Sequence, residues 1–120
     1  MELEEKLTEA ELEQFIGTTQ HFKHPLGLLF TDGVHYLAEK GKAYWLIDCI
    51  ASYQGYRQVR EMSIQFWRLK VKEDRSALLE LGEDLPEPII LRQKIPYTNF
   101  PLKQITLYLA NNVLHLPSEY

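Results

Sequence analysis

The stretch QFWRLKV, residues 65–71, decides the fold class because its apolar and charged side chains alternate. In an extended chain, Trp67, Leu69 and Val71 point to one side, while Arg68 and Lys70 point to the other. This pattern is typical of a strand with one face buried and one face in water.

The chain after this stretch continues as short apolar segments separated by turn-forming residues. Two segments rich in proline and the pair Asn111-Asn112 separate these strands, and asparagine tolerates the positive φ of a tight hairpin turn. We therefore predict antiparallel strands near residues 63–72, 77–82, 88–95, 104–109 and 113–116.

Before residue 60 the apolar residues recur at helical spacing. Thr8 and Glu11 have the spacing of a helix-capping box. The periodicity predicts helices over about residues 9–16, 32–40 and 43–53. Residues 18–24 are expected to form a loop, because Pro25 disfavours helix at the residue before it.

Helices followed by consecutive strands indicate an α+β fold. We predict one domain over residues 1–120, with about three N-terminal helices packed on one face of a four- to five-stranded antiparallel β-meander. The apolar face of each element gives the expected core: Leu12, Phe15, Ile16, Leu37, Leu46, Ile47, Ile50, Trp67, Leu69, Val71, Ile105 and Leu107.

The composition limits the cellular location and the classes of partner that we expect for this protein. The 120 residues carry a formal net charge of −4 and a single cysteine, Cys49, which excludes an intramolecular disulfide. No apolar stretch approaches the ~20 residues that span a bilayer, and the start of the chain lacks the pattern of a signal peptide. We expect a cytoplasmic protein with no membrane partner, and the net charge argues against nucleic acid as a partner.

Residues with catalytic or metal-binding chemistry are present but poorly arranged. His21, His24, Asp32 and His35 are suitable zinc ligands, yet no second close ligand pair completes a site. The alternative is that the histidines are exposed in a loop and that His35 contacts Glu39. Cys49 lies in an apolar segment without a basic neighbour to activate its thiol. We expect no metal, no cofactor and no catalytic residue.

Aromatic side chains form the strongest candidate binding feature. Rigid rings with polar tips are common in pockets and interfaces. Asp48 is the charged group nearest to them, and its expected structural role is a hydrogen bond to a tyrosine hydroxyl or tryptophan N–H. The predicted ligand- or partner-binding residues are Tyr36, Tyr44, Trp45, Asp48 and Trp67.

Several strings along the chain occur together in a recognisable order. They are TDGVxYLA from Thr31, AYWLIDxIAS from Ala43, QxWxLKV from Gln65, and LPSEY from Leu116. With these strings the chain resembles a family of small uncharacterised proteins of bacteria, including cyanobacteria, and of their phages and plasmids. The resemblance implies a stand-alone cytoplasmic domain, sometimes carried by mobile elements, and implies no activity, cofactor or catalytic residue.

Three hypotheses for the function remain open. The first is a non-catalytic protein that binds a host protein or sequesters a small molecule. The second is a small hydrolase or metal-dependent enzyme, which a cleft joining His24 or His35 to Asp32 or Asp48 would favour. The third is a nucleic-acid-associated module with a basic stripe formed by Arg57, Arg60, Arg68, Lys70 and Lys72.

Overall fold

A computed structural model describes residues 7–16, 20–82 and 89–119 of the protein. The helices are α1 (Glu9–Glu13), α2 (Asp32–Gly41), α3 (Tyr44–Tyr53) and α4 (Arg57–Arg60). The strands are β1 (His21–Lys23), β2 (Leu29–Thr31), β3 (Ile64–Val71), β4 (Ala77–Gly82), β5 (Ile89–Ile95), β6 (Gln104–Ala110) and β7 (Val113–His115). A 3₁₀ turn over Pro117–Glu119 follows β7.

The seven strands form one mixed sheet in the order β1-β2-β7-β6-β3-β4-β5. Neighbouring strands are antiparallel except β2 and β7, which pair in parallel with Phe30 opposite Leu114. The predicted architecture is therefore wrong. The sheet is wider than a four- to five-stranded meander, it is not wholly antiparallel, and two of its strands precede the helices α2 and α3.

The strands after residue 60 follow the predicted positions because their side chains alternate. In β3 the odd-numbered residues from Gln65 to Leu69 are buried, and the residues between them are more exposed. Tyr53 of α3 packs on Trp67, with ring centroids 5.6 Å apart, so the buried face of β3 is the face that carries helices. The turn at Asn111 and Asn112 has φ values of 51° and 64°, as a tight hairpin turn requires.

Strand β1 overturns the predicted loop over residues 18–24, of which residues 18 and 19 lie outside the described part of the chain. Strand β1 lies within that segment and pairs with β2, with Phe22 opposite Phe30. Residues 24–28 form the turn between them, closed by the His24 N–H···O Leu28 bond of 2.8 Å and by Gly27 with φ of 108°. Each strand has only three residues, too few for an alternating pattern to be recognised.

Of the three predicted helices, the one nearest the start of the chain differs most from its predicted length. Helices α2 and α3 lie where the periodicity placed them, whereas α1 ends three residues early. Thr8 caps α1 as predicted, because its hydroxyl accepts the Glu11 N–H at 3.2 Å. The short helix α4 was not predicted. None of the described helices is long and apolar enough to cross a membrane.

The core lies between the helices and one face of the sheet. The predicted core residues are buried there except Ile16, which is 82% exposed, and Phe15, Val71 and Ile105, which are partly buried. Ile16 is exposed because it lies beyond the end of α1 and no longer follows the helical stripe. Several fully buried residues were not predicted: Val34, Leu79, Leu81, Phe100, Leu114 and Leu116.

Glu119 connects the last described turn of the chain to the start of α2. Its Oε1 accepts the Thr31 hydroxyl at 2.6 Å and the Leu116 N–H at 2.9 Å. Thr31 is also the N-cap of α2, where its hydroxyl accepts the Val34 N–H at 3.1 Å. A Cβ atom on Gly33 would lie 2.7 Å from Glu119 Oε1, so glycine is needed for this close approach.

We expect Gly33→Ala to lower the free energy of unfolding by about 1–3 kcal/mol, because the displaced carboxylate loses its hydrogen bonds. In a Glu119→Ala background the same change should cost much less or become stabilising, since alanine favours a helix over glycine. Urea unfolding of the two single variants and the double variant measures this coupling. Additive effects would show that Gly33 is not required for the contact with Glu119.

Candidate functional site

The five residues predicted to bind a ligand or partner lie in three separate places. Trp67 is 1% exposed in the core. Its indole N–H donates to Gln65 Oε1 at 2.9 Å, and Gln65 forms two further bonds with the side chain of Gln54, at 2.8 and 2.9 Å. Trp67 therefore contributes to packing under α3 and presents no surface to a partner.

Tyr36 lies at the junction of α1 and α2. Its hydroxyl donates to Glu11 Oε2, which also accepts from Lys40 Nζ at 2.6 Å. The ring of Phe15 packs on Tyr36 with centroids 5.3 Å apart. These contacts fasten the short helix α1 to α2.

The hydrogen bonds at this junction change the acidity of Glu11. The ammonium of Lys40 and the hydroxyl of Tyr36 hold the pKa of Glu11 at about 2, against an ordinary value of 4.5. Glu11 is therefore a carboxylate at neutral pH, and the junction is a charged one.

Tyr44 and Asp48 share one face of α3, because they are four residues apart. Tyr44 is 41% exposed and donates its hydroxyl to Glu39 of α2 at 2.6 Å. The Asp48 side chain is 67% exposed and lies 2.7 Å from His24 Nε2. We call the exposed residues around this pair the α2–α3 surface: His35, Glu39, Tyr44 and Asp48. Trp45 adjoins it but is half-buried against the core.

The partner of Asp48 differs from the predicted one. We expected a tyrosine hydroxyl or a tryptophan N–H, and the structure has the imidazole of His24, which is 8% exposed. His24 Nδ1 accepts the Leu26 N–H at 3.0 Å, which leaves Nε2 to carry the proton and donate it to Asp48. The bond holds the Asp48 carboxylate in one orientation, while most of the Asp48 side chain remains exposed.

The same bonds bear on the hydrolase hypothesis. A histidine that acts as a general base needs one ring nitrogen directed at the reacting proton. In His24 one nitrogen accepts a backbone N–H and the other binds Asp48. His24 and Asp48 meet as that hypothesis requires, but in this arrangement the imidazole has no nitrogen left for a substrate.

His35 is held by aromatic neighbours. Its ring stacks on Phe22 of β1, with centroids 4.1 Å apart and planes inclined by 13°, and its Nε2 lies 3.6 Å from Glu39 Oε1. The predicted His35–Glu39 contact is present. His24, predicted to be exposed in a loop, is instead buried. Within residues 7–16, 20–82 and 89–119, no three His, Cys, Asp or Glu side chains are grouped as a metal ion would require.

Cys49 is adjacent to Asp48 and is a free, partly buried cysteine. Burial raises the pKa of the Cys49 thiol, and the negative charge of Asp48 raises it further. Because the thiolate is the reactive form, both effects suppress its chemistry near neutral pH.

The described cavities lie away from the predicted site. Three of them, of about 310, 370 and 260 Å³, are lined by other residues, and none of the five predicted residues borders them. The 370 Å³ cavity has a mixed lining, with Gln54, Gln65 and Asn112 beside the apolar Met62 and Leu109. Thus these cavities do not place a small molecule against the predicted rings.

The sequence offered His24 and Asp48 only as one of several His–Asp pairs for a hydrolase, and it did not indicate that Glu39 accepts a hydrogen bond from Tyr44. His24 and Asp48 are separated by 24 residues, and the pairing depends on the β1–β2 turn, which has no periodic signal. Only the costly placement of Asp48 within an apolar helix indicated that it needed a partner.

A family model matches residues 6–120. The chain belongs to this family, described as a family of unknown function (DUF6876). The membership confirms the resemblance noted from the sequence strings. No curated protein and no solved structure matches the chain.

We predict that Glu11 makes the stability of the protein sensitive to acid. Its folded pKa of about 2 lies below the ordinary value of 4.5, so its contribution is complete above pH 4.5 and is lost as the pH falls towards 2. The urea midpoint of the wild type should exceed that of Glu11→Gln near neutral pH, and the gap should narrow towards pH 2. Glu13→Gln, on the same helix, is the control. A gap independent of pH would contradict this assignment.

We also predict slow alkylation of Cys49. At about pH 8 its rate with iodoacetamide should be below that of free cysteine, because burial raises the thiol pKa. Asp48→Asn should increase the rate, since it removes one of the two causes, whereas Glu61→Gln, directly after α4, should leave it unchanged. A wild-type thiol faster than free cysteine would instead indicate an activated nucleophile.

Proposed function

We propose that the protein is a non-catalytic binding protein whose α2–α3 surface engages another protein. The observation that carries this proposal is the exposed carboxylate of Asp48, which buried His24 holds in place at 2.7 Å. A charged group already fixed in one geometry loses little conformational entropy when it binds, so more of the interaction energy is retained.

The chemistry of the surface indicates the kind of partner. Asp48 and Glu39 are exposed carboxylates, and the partly exposed ring of Tyr44 lies on the same face of α3 as Asp48. An arginine or lysine side chain of a partner would pair with a carboxylate and pack on the ring. Tyrosine and arginine are also enriched among the residues that dominate binding energy at interfaces.

A protein partner is favoured over a small molecule. The α2–α3 surface lies on the exposed side of two helices, and the three described cavities lie elsewhere. Small ligands usually bind in concave pockets that cover most of their surface.

We further propose that this binding takes place in the cytoplasm and that the protein is an accessory protein of a phage or mobile element acting on a host protein.

The proposal is tested by pulldown with the full chain from a lysate of the source cell, followed by quantitative mass spectrometry. A specific partner should be recovered with the wild type, and Asp48→Asn and Tyr44→Ala should each reduce its recovery by about tenfold or more. The amide introduced by Asp48→Asn keeps a carbonyl oxygen for the His24 N–H, so this variant removes the charge while it preserves the local hydrogen bond.

The matched control is Glu61→Gln, which removes an exposed carboxylate directly after α4. It should leave recovery of the partner unchanged, and the melting temperatures should show that all variants are folded. Equal recovery with Asp48→Asn and the wild type would refute the proposed surface. Turnover of a substrate that disappears when His24, His35 or Cys49 is replaced would refute the non-catalytic role.

A further inference from the structure

The sheet has a second face on which none of the described helices packs. Strand alternation sends Trp67 and Leu69 of β3 towards the helices, and the residues between them to the opposite side. The register carries this alternation to the neighbouring strands. We call this side the helix-free face; over β3 to β6 it includes Phe66, Arg68, Lys70, Leu78, Glu80, Arg92, Lys94, Gln104, Thr106 and Tyr108.

Positive charge is concentrated on this face. Arg68 and Arg92 lie on either side of Glu80 in the register, and Lys70 and Lys94 lie on either side of Leu78. Among the described strand residues of this face, Glu80 is the single acid. Four cations against one carboxylate leave an excess of three positive charges on a chain whose formal net charge is −4.

Glu80 organises the cations around it. The residue is 3% exposed, and its carboxylate lies 3.0 Å from Arg92 Nε, 3.2 Å from Lys70 Nζ and 3.8 Å from Arg68 Nε. Burial alone would raise the pKa of Glu80, but the bonds from Arg92 and Lys70 hold it below its usual value. The cations are thereby held over the sheet, while Lys70, Arg92 and Lys94 stay exposed to solvent.

Aromatic rings adjoin the cations. Phe66 precedes Arg68 by two residues on β3, which is about 6.6 Å along the strand. Its partly buried ring meets Tyr108 edge to face, with centroids 4.7 Å apart and planes inclined by 78°. Positive side chains beside aromatic rings on an open sheet are the combination that binds single strands, where phosphates meet the cations and bases stack on the rings.

We propose that the helix-free face binds a single-stranded nucleic acid, with its phosphates against Arg68, Lys70, Arg92 and Lys94 and a base against Phe66. The observations favour this ligand over a duplex, because a broad sheet cannot enter the major groove as a helix or two-stranded ribbon does. The observations also favour a nucleic acid over an acidic protein, because the ring of Phe66, on which a base could stack, lies next to the cations. The proposal is independent of the α2–α3 surface.

Acidic residues of α1 lie near one side of the helix-free face, and they indicate which strands the ligand should cover. Beside Gln104 and Thr106, in the part of β6 that β7 does not cover, Glu9 and Glu13 of α1 border the same cavity of about 310 Å³. These carboxylates would repel phosphates, so the strand should run over β3, β4 and β5, where the four cations lie.

This inference departs from the expectation, drawn from the net charge, that nucleic acid is an unlikely partner. The net charge sums over the whole surface, whereas the register gathers cations from two strands on one face. Of the predicted basic stripe, Arg68 and Lys70 are on this face, but Arg57 and Arg60 belong to α4. Arg92 and Lys94 join the face through pairing of β5 with β4.

The test is fluorescence anisotropy of labelled twelve-nucleotide single-stranded DNA and RNA with the full chain, over a range of salt concentrations. Four phosphate contacts predict a slope of log affinity against log salt of about −2.8, and Lys70→Gln combined with Lys94→Gln should reduce its magnitude by about 1.4. Phe66→Leu should weaken binding at least about fivefold with the slope unchanged.

The matched control is Arg57→Gln combined with Arg60→Gln, which removes the same charge from α4 and should leave binding unchanged. An equal loss with this control would overturn the proposal, because it would show non-specific attraction. Absence of binding, equal affinity for a duplex, or stronger binding of poly-glutamate through the same lysines would also overturn it, the last in favour of an acidic protein partner.

Discussion

The parallel pairing of β2 with β7 joins two distant parts of the chain, and the rest of the structure depends on it. Leu29 and Phe30 lie beside Val113 and Leu114. Hydrogen bonds on both sides reinforce this contact: the Leu29 N–H donates to the Asn112 carbonyl at 2.9 Å, and Thr31 donates to Glu119 at 2.6 Å. Through this pairing the β1–β2 hairpin becomes part of the sheet, and its turn places His24 beside Asp48.

The parts of the fold that the sequence predicted are those with a repeated pattern. Alternation identified β3, and helical spacing identified α2 and α3 to within a residue or two. Strands β1 and β2 have three residues each, so they show no period, and a parallel partner 84 residues away leaves no local signal. The predicted meander was therefore wrong in the strands that depend on long-range pairing.

The candidate site likewise includes residues that lie at the surface, as predicted binding residues should, and others that do not. Residue type alone selected Tyr44 and Asp48, which share a face of α3, but it also selected Trp67, which is buried in the core. A tryptophan in the middle of an alternating strand has the same appearance in sequence whether its face meets helices or a ligand. His24 could not be singled out from the other histidines as the partner of Asp48, because the contact requires the β1–β2 turn. The net charge was also a poor guide, because a formal net charge of −4 for the whole chain does not show that one face of the sheet is positively charged.

The long separation between β2 and β7 has a consequence for the order of folding. The hairpin of β3 and β4 closes between Val71 and Ala77, six residues apart, whereas β2 and β7 must close a loop of 84 residues. The entropy of loop closure makes the long contact about 2 kcal/mol more costly to form. The hairpins β3–β4, β4–β5 and β6–β7 should thus form early, and the His24–Asp48 geometry should be acquired only when β2 pairs with β7.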